Sequence, residues 1–256
     1  MAAPKEELKV YTGIGLDFET GDLDCKRGGV TQISAHAVRF DTFETMDKIA
    51  LYVYPYHQKN LGGVRKKVLK TKRELEAEEQ QLMAYEDKAL TYSGLSMELL
   101  YSQGVQLEDV VNKFVAFVKS NTMSKAKDAK PVLIGQNITF DIGFLQQIFN
   151  YTGNMKEFES ILAGKKDFYG NFQPEYIDTL LLGRLAFSNE RMPNFKLETL
   201  SKKLGIELDD AHDADADVTA SVNVAFTLGN RMRYPGGEAL NSIIKPKEKT
   251  REHFKI

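Results

Sequence analysis

Three acidic motifs in this chain of 256 residues have the composition of a site for divalent cations. In the first, Asp17 and Glu19 end an apolar run that is rich in strand-forming residues. In the second, Asp141 follows a short polar stretch and begins an amphipathic segment. The third motif combines a histidine with aspartates at alternate positions: His212, Asp213, Asp215 and Asp217. Together these residue types are suited to metal-dependent chemistry on a phosphate ester.

That chemistry requires oxygen ligands and a base. Side chains two residues apart on a strand point to the same face, roughly 6.6 Å apart along the chain, so Asp17 and Glu19 can converge on one cation. In-line cleavage of a phosphodiester is served by two divalent ions roughly 3.5–4 Å apart, one activating water and the other stabilising the leaving oxygen. Mg²⁺ and Mn²⁺ prefer oxygen ligands. A neutral histidine can take the proton from the water, which suits His212.

Helix capping explains part of the same motifs without any chemistry. Asn137 or Asp141 could cap the helix that follows them, and capping is the favoured interpretation for Asn137. Asp213 would be a good N-cap, and Asp217 would lie one turn further along the same helix. Capping does not account for Asp217 or for a histidine just before the helix. The role of Asp215 stays open, since its side chain could assist the metals or face solvent.

The rest of the pattern predicts an α/β domain that would position these motifs. Strands are predicted at Val10–Phe18, Val30–Phe40, Ile49–Tyr54, Val132–Ile134 and Tyr176–Asp178. Helices are predicted at Leu107–Lys119, Asp141–Asn150, Thr179–Phe187, Lys196–Leu204 and Ala214–Leu228. Three strands in an antiparallel meander, followed by alternating helices and strands, indicate a mixed sheet flanked by helices.

The segment His57–Glu86 interrupts this alternation and is too long and too charged for a loop of a compact domain. Apolar residues at a spacing of seven predict one long helix over much of it: Leu61, Val68, Leu75 and Leu82. Basic residues, among them Arg65, Lys66 and Lys67, precede acidic ones. Helix stability does not explain this order, because cations near a helix start oppose the dipole. A phosphate-binding arm would explain it, and a solvated helical projection is an equally good interpretation.

Composition limits the class of protein. Hydrophobic residues make up 42% of the chain and charged residues 27%, which permits an ordinary globular core. Cys25 is the only cysteine and the four histidines are scattered, which excludes an intrachain disulfide and argues against a structural zinc site. No apolar run approaches bilayer length or resembles a signal peptide, so a soluble, cytoplasmic protein is predicted. The net charge of −2 does not exclude a nucleic-acid enzyme, because bound metals reverse the local field.

Taken in order, the motifs resemble those of the DEDDh exonucleases, a branch of the proofreading, DnaQ-like superfamily with a ribonuclease-H-like fold. The matching segments are Asp17-Phe18-Glu19-Thr20-Gly21, Asn137-Ile138-Thr139-Phe140-Asp141 and His212-x-Ala214-x-x-Asp217. The five-residue step from His212 to Asp217 is that of the histidine branch. Three ordered motifs are more specific than one, and the likeness covers roughly residues 10–230 apart from 57–88. Gln136 departs from the family, which commonly has His there, and this could alter substrate contacts.

The resemblance implies a role for each residue. Asp17 would bridge two ions of Mg²⁺ or Mn²⁺, and Glu19 and Asp217 would complete the site of the ion on the nucleophile side. Asp141 would bind metal directly or through water, and His212 would be the general base. The expected substrate contacts are Thr20, Leu23, Asn137, Arg65, Lys66 and Lys67. Asp178 is expected to give structural support.

The implied activity is that of a 3′–5′ exonuclease that releases 5′-mononucleotides from single-stranded or frayed DNA ends, in proofreading, repair or DNA processing. An exoribonuclease of the oligoribonuclease-like type and a polymerase-accessory nucleic-acid-binding protein are the alternatives. The expected partner is single-stranded nucleic acid, with DNA favoured over RNA, and a DNA polymerase is a further possible partner. No membrane association is expected. The exonuclease domain is expected at 1–235, with a charged helical insertion at 57–88 and a basic C-terminal tail at 236–256.

Overall fold

The computed structural model describes residues 11–59, 81–123, 129–207 and 213–233. Several sequence-based expectations fall outside these ranges. They are the base His212, the basic residues Arg65, Lys66 and Lys67, most of the predicted insertion helix, and the basic tail. The elements given below are those of the described residues.

A five-stranded mixed sheet forms the centre of the domain. The strands are β1 (Thr12–Thr20), β2 (Val30–Arg39), β3 (Thr45–Tyr52), β4 (Val132–Gly135), β5 (Gly164–Lys166), β6 (Phe172–Pro174) and β7 (Tyr176–Asp178). In the sheet the order is β3-β2-β1-β4-β7, and β5 pairs with β6 in a separate hairpin. The first three strands are antiparallel, whereas β4 runs parallel to both β1 and β7. The predicted α/β class with a mixed sheet is therefore confirmed.

Helices cover both faces of this sheet. They are α1 (Asp87–Tyr92), α2 (Met97–Gln103), α3 (Leu107–Asn121), α4 (Thr139–Tyr151), α5 (Met155–Ile161), α6 (Thr179–Ala186), α7 (Leu197–Leu204) and α8 (Ala214–Arg233). On one face, α3, α4 and α5 bury a large apolar core that includes Phe114, Phe144 and Phe149. On the other face, α8 packs against β1, β2 and β4, and α6 and α7 pack against α8. No helix of the described residues is long and apolar enough to cross a bilayer.

Alternation along β1 separates a core face from a site face. Ile14, Leu16 and Phe18 point into the core beneath α3, α4 and α5. The intervening residues point toward α8, and this direction is shared by Asp17 and Glu19 because side chains alternate along a strand. Asp17 and Glu19 lie in the C-terminal half of the strand, so its acidic residues are gathered toward its carboxyl end.

Gly15 lets α8 approach the sheet closely, two residues before Asp17. A Cβ atom built on Gly15 would lie 2.8 Å from Cγ2 of Val222 and 2.9 Å from Cγ1 of Val218. Those distances are too short for carbon atoms, and valine side chains have little rotamer freedom to move aside. The position of the helix over the site strand therefore depends on the missing side chain.

Outside the predicted insertion, the predicted strands and helices correspond to observed ones, including the short strands β4 and β7, whereas other short elements were missed. The missed elements are α1, α5 and the β5–β6 hairpin, and none of these helices or strands is longer than seven residues. An element this short does not complete enough turns to show a periodic apolar stripe. Tertiary packing, rather than local pattern, determines where such elements form.

The two ends of the predicted insertion run side by side in extended conformation. Gln58 N–H donates to the carbonyl of Gln81 at 2.8 Å. Leu82 forms an antiparallel bridge with His57, and the next residue, Met83, is buried in the main core. The prediction of a helix that includes Leu82 was therefore wrong at its C-terminal end, because this part of the chain belongs to the body of the domain.

Gly15→Ala is expected to destabilise the protein by about 1–3 kcal/mol, because the added methyl group overlaps two branched side chains. Gly229→Ala on α8 is the matched control, since a Cβ there meets no atom within 4 Å and alanine favours a helix by about 1 kcal/mol. Urea unfolding of the wild type and both variants measures the difference. Equal unfolding midpoints for the two variants would contradict close packing at Gly15.

Candidate active site

Three carboxylates from two elements converge at the carboxyl end of β1. Asp17 and Glu19 come from the strand, and Asp217 comes from the first turn of α8. One carboxylate oxygen of each residue lies within 4.8 Å of those of the other two. Because metal–oxygen bonds of hard divalent cations measure about 2.0–2.6 Å, oxygens this close can share a cation. We call Asp17, Glu19 and Asp217 the carboxylate trio.

Asp141 lies behind the trio, in the first turn of α4. Its side chain is buried, and its Oδ1 accepts a hydrogen bond from Phe18 N–H at 3.0 Å. Since Phe18 lies between Asp17 and Glu19 in β1, this bond fixes α4 to the centre of the first motif. Asp141 is thus brought beside the trio, although its oxygens are outside the group that lies within 4.8 Å. Its binding of a metal remains a prediction.

Burial, reinforced by neighbouring negative charge, raises the pKa values of these residues. Burial is the main cause that raises the pKa of Asp17, and the charges of Asp141, Asp217 and Glu19 raise it further. Burial raises the pKa of Glu19 to about 7, against a hydrogen bond from Ser93 that lowers it. Without a counter-charge the carboxylates cannot all ionise near neutral pH. The donors are all carboxylate oxygens, so the residues present fit a hard divalent cation such as Mg²⁺ or Mn²⁺.

Three buried polar side chains of β2 hold the start of α8 against the sheet. Gln32 Nε2 donates to Oδ1 of Asp213 at 3.0 Å, and Ser34 Oγ donates to Oδ1 of Asp215 at 3.1 Å. His36 Nε2 lies 2.6 Å from the same oxygen of Asp215. We call Gln32, Ser34 and His36 the polar row. It ties the two aspartates that precede Asp217 to the strand next to β1.

The contact between His36 and Asp215 joins a neutral ring that donates a hydrogen bond to a carboxylate that accepts it. Burial lowers the pKa of His36, although the hydrogen bond with Asp215 raises it, so the ring is neutral near pH 7. A carboxylate only accepts hydrogen bonds, and Nε2 of His36 is therefore the nitrogen that carries hydrogen. Burial alone would raise the pKa of Asp215, but the bonds from His36 and Ser34 and the charge of Lys48 bring it below its usual value. Asp215 is thus bonded to the sheet, a role that neither sequence-based alternative included.

Sequence reasoning missed the polar row, although the sequence contains a signal for it. Gln32, Ser34 and His36 alternate with Ile33, Ala35 and Ala37. A two-residue period of this kind gives a strand one polar and one apolar face. What the pattern did not reveal was the partner of the polar face, which lies about 180 residues further along the chain.

The predicted capping by Asp213 is confirmed, whereas the predicted capping by Asn137 is wrong. Ala216 N–H donates to Oδ2 of Asp213 at 3.4 Å, as expected of a cap at the start of α8. The residue before α4 is Ile138, and it makes no side-chain capping bond. Asn137 instead has a φ of 52° and an exposed side chain. Asparagine tolerates this left-handed conformation better than most residues, which explains its presence in the turn.

Asp178 and Gln136 support the turn around Asn137. Asp178 Oδ1 accepts from Asn137 N–H at 3.0 Å and from Leu180 N–H at 2.9 Å, where it caps α6. These bonds agree with the expected structural role of Asp178. Gln136 Nε2 donates to the carbonyl of Phe195 at 2.7 Å, so its amide holds the segment before α7.

A cleft of about 390 Å³ opens directly beside Glu19. Two residues predicted to contact substrate, Thr20 and Leu23, line it, and Leu23 is 85% exposed. Tyr92, which sequence reasoning missed, is 65% exposed and lines the same cleft. The remaining lining residues are Phe18, Asp22, Glu86, Lys88, Ala89, Ser93 and Phe140. The volume is within the range of small-molecule sites.

Known proteins are similar to this chain in sequence and in fold. The RNase_T exonuclease family model matches residues 108–225. The PolC-type DNA polymerase III of Halalkalibacterium halodurans is 31% identical over 136 residues, which are 53% of this chain and 8% of that protein. The corresponding protein of Lacticaseibacillus paracasei is 29% identical over 97 residues, or 38% of this chain and 6% of that protein. E. coli exonuclease I in complex with a dT13 oligonucleotide superposes with a TM-score of 0.59 at 18% identity, over 88% of this chain and 42% of that chain.

Residues 108–225 are similar to the exonucleases of the DnaQ-like superfamily. The sequence-based recognition of the superfamily is therefore confirmed, and the likeness to exonuclease I confirms the ribonuclease-H-like fold. The chain spans less than a tenth of the curated relatives it matches and under half of exonuclease I. The family match begins after the first motif, and the structure places Asp17 and Glu19 next to Asp217 inside the matched segment.

The contribution of Glu19 and its neighbours to the stability of the metal-free domain is expected to fall as pH rises from about 4.5 toward about 7. A folded-state pKa that is raised stabilises the fold below the ordinary pKa, and this contribution is lost as pH rises through the raised value. Asp17→Asn removes one repelling charge, so its melting temperature in EDTA should exceed that of the wild type by a margin that grows with pH.

Added Mg²⁺ or Mn²⁺ should raise the melting temperature of the wild type, and more so at about pH 8 than at about pH 5, because ionised carboxylates bind the cation. The gain should be lost in Asp17→Asn and kept in Glu157→Gln, a surface control. Thermal scans by circular dichroism provide the measurement. Two results together would show that these carboxylates do not form a cation site. The first is a melting-temperature difference between Asp17→Asn and wild type in EDTA that does not change with pH, and the second is no rise in the wild-type melting temperature on adding metal.

Proposed function

We propose that this DnaQ-like exonuclease domain is a two-metal 3′–5′ exonuclease that releases 5′-mononucleotides from single-stranded or frayed DNA ends. The observation that carries the proposal is the convergence of Asp17, Glu19 and Asp217 directly beside a cleft lined by Thr20 and Leu23. The trio offers ligands for metal, and the cleft offers a place for the 3′-terminal nucleotide at its side.

Each acidic residue has a proposed part in the reaction. When bound, two ions of Mg²⁺ or Mn²⁺ would activate water and stabilise the leaving oxygen. Asp17 would hold both ions, and Glu19 and Asp217 would complete the site of the ion on the nucleophile side. Asp141, with Oδ1 bonded to Phe18 N–H, has its second oxygen to offer, directly or through water. The proposed base is His212, five residues before Asp217.

Hydrogen bonding prepares Glu19 for this role. Ser93 Oγ donates to Oε2 of Glu19, and Ser93 itself lines the cleft. A carboxylate held by one hydrogen bond keeps a defined rotamer, so the second oxygen is pre-oriented for metal. The hydroxyl of Ser93 therefore links the wall of the cleft to the metal ligands.

The cleft also has the side chains that a nucleobase requires. Leu23 and Tyr92 are large apolar groups that remain mostly exposed in the free protein. Stacking of a base on an aromatic ring stabilises single-stranded complexes by about 1–3 kcal/mol without demanding a particular sequence. Asn137, exposed in the turn after β4, is a proposed contact of the same strand, and Lys88 offers a positive charge at the rim.

Arg65, Lys66 and Lys67 remain proposed phosphate contacts on the strength of their sequence. DNA is favoured as the substrate because the similar exonuclease I structures contain DNA oligonucleotides and the matched relatives are DNA polymerases. The latter match is also the reason to propose a DNA polymerase as a partner. An exoribonuclease is the alternative, and it would require a contact to the 2′-hydroxyl.

Asp217→Asn is expected to reduce exonuclease activity by more than about 100-fold, because it neutralises a proposed metal ligand and ligand changes exceed the effect of outer contacts. The assay is a time course on 5′-labelled single-stranded DNA and RNA of the same sequence, with Mg²⁺ or Mn²⁺. The wild type should shorten DNA from the 3′ end, faster than RNA, and Glu157→Gln should match it. Activity in EDTA would refute the proposal, and faster RNA cleavage would favour the alternative.

Tyr92→Ala is expected to lower kcat/KM on single-stranded DNA by about 5- to 100-fold, which corresponds to the loss of one base-stacking contact. Tyr169→Ala is the matched control, because Tyr169 is 84% exposed on the turn between β5 and β6 and does not line the cleft. Steady-state kinetics on a short oligonucleotide measure both variants. Equal kinetics in Tyr92→Ala and wild type would exclude Tyr92 from substrate binding.

A further inference from the structure

We infer that the polar row and Asp215 are positioning residues, which set the rotation of α8 so that Asp217 presents its carboxylate to the metals. This inference rests on the proposed function, because it assigns the residues that make the proposed metal site competent. None of the four residues belongs to the carboxylate trio or lines the cleft.

Strand register places the polar row directly opposite the site residues. Across the β1–β2 ladder, Glu19 pairs with Gln32 and Asp17 pairs with Ser34, and the next pair along is Gly15 with His36. Paired residues project to the same face with Cβ atoms about 4.5–5.5 Å apart. The polar row therefore lies parallel to the site strand, on the face that α8 covers.

The residues at the start of α8 that bond to the polar row lie in the same helical turn as Asp217. Asp213 and Asp215 accept the hydrogen bonds from β2, and Asp217 follows two residues later. The backbone N–H of Asp217 donates to the carbonyl of Asp213 at 3.0 Å, so both belong to one helical turn. A rotation of that turn that moved Asp217 would break the bonds made by Asp213 and Asp215.

Burial makes those bonds expensive to break. The exposed fractions of Gln32, Ser34 and His36 are 5%, 0% and 1%. A buried polar group left without a partner costs about 1–3 kcal/mol, so a rotated helix would lose several such contributions together. Apolar packing of α8 on Gly15 holds the helix close, but contacts between methyl groups have no directional partner. Directional bonds are what distinguish one rotation from its neighbours.

Lys48 contributes little to this arrangement. Lys48 lies on β3, paired with His36 of β2. Its Nζ lies 3.5 Å from Oδ2 of Asp215, and its side chain is 49% exposed. A salt bridge this exposed stabilises a protein by about 0–1 kcal/mol. The important acceptor is Oδ1 of Asp215, which accepts hydrogen bonds from both Ser34 and His36.

The test uses Mn²⁺ binding to the whole chain, which does not depend on turnover. Asp215→Leu removes both bonds by replacing the carboxylate with an apolar side chain of similar size, whereas Asp215→Asn keeps an oxygen that can accept them. His36→Leu removes one of the two bonds. Glu157→Ala is the control, because it breaks the surface ion pair with Lys119, which is far from α8 in the fold. Calorimetry gives the Mn²⁺ affinity, and circular dichroism confirms that each variant is folded.

Asp215→Leu is expected to bind Mn²⁺ about 10-fold more weakly, the lower end of the effect of removing a residue that orients a metal ligand. Asp215→Asn should recover most of the affinity, and His36→Leu combined with Asp215→Leu should be no worse than Asp215→Leu alone, since both act through one contact. On single-stranded DNA, kcat should fall at saturating substrate while KM stays unchanged, because the cleft is intact.

A folded Asp215→Leu protein with the Mn²⁺ affinity of the wild type would overturn the inference and leave the polar row with a role in stability only. Loss of affinity in Asp215→Asn equal to that in Asp215→Leu would also overturn it, since the charge rather than the hydrogen bonds would then matter. If the wild type binds Mn²⁺ but does not degrade DNA or RNA, the proposed function fails while the positioning role is still decided by the binding data.

Discussion

Repulsion among acidic groups in a partly buried space is the constraint on which this structure depends. Asp17, Glu19 and Asp217 approach within 4.8 Å, and the buried Asp141 lies beside them. Burial, together with the charges of Asp217 and Asp213, raises the pKa of Glu19 to about 7, so ionisation of these groups is unfavourable in the absence of cations. The fold must therefore supply enough stability elsewhere to keep these groups together, and a metal would convert their repulsion into attraction.

The rest of the domain can be understood as the source of that stability. Each acidic residue comes from a rigid element: a central strand, the first turn of α4 or the first turn of α8. The bond from Phe18 N–H to Asp141 joins α4 to the central strand, and the polar row joins α8 to the neighbouring strand β2. A large apolar core lies beneath the same strand. Cooperative packing thus offsets a local cost, as is common where sites need preorganised ligands.

The sequence allowed the sheet, the long helices and the acidic residues to be predicted, because each carries a local pattern. The run of strand-forming residues indicated β1, and the order and spacing of the acidic residues and His212 indicated the three motifs. The partnership of His36 with Asp215 could not be predicted, since it joins residues about 180 positions apart and depends on the docking of α8. Asn137 was assigned a cap that the backbone does not use, and Leu82 fitted a helical repeat yet forms a bridge with His57. In both cases tertiary contacts overrode a plausible local signal.

The pairing of Gln58 with Gln81 has an evolutionary consequence. Gln58 and Gln81 are hydrogen-bonded neighbours, so the sequence between them can change in length or kind without redirecting the backbone on either side. The segment after Gln81 leads straight to Glu86 and Lys88 at the rim of the cleft. A change in the segment between Gln58 and Gln81 would therefore leave Glu86 and Lys88 lining the cleft. Related proteins could diversify in what they recognise here while the chemistry of the acidic residues stays constant.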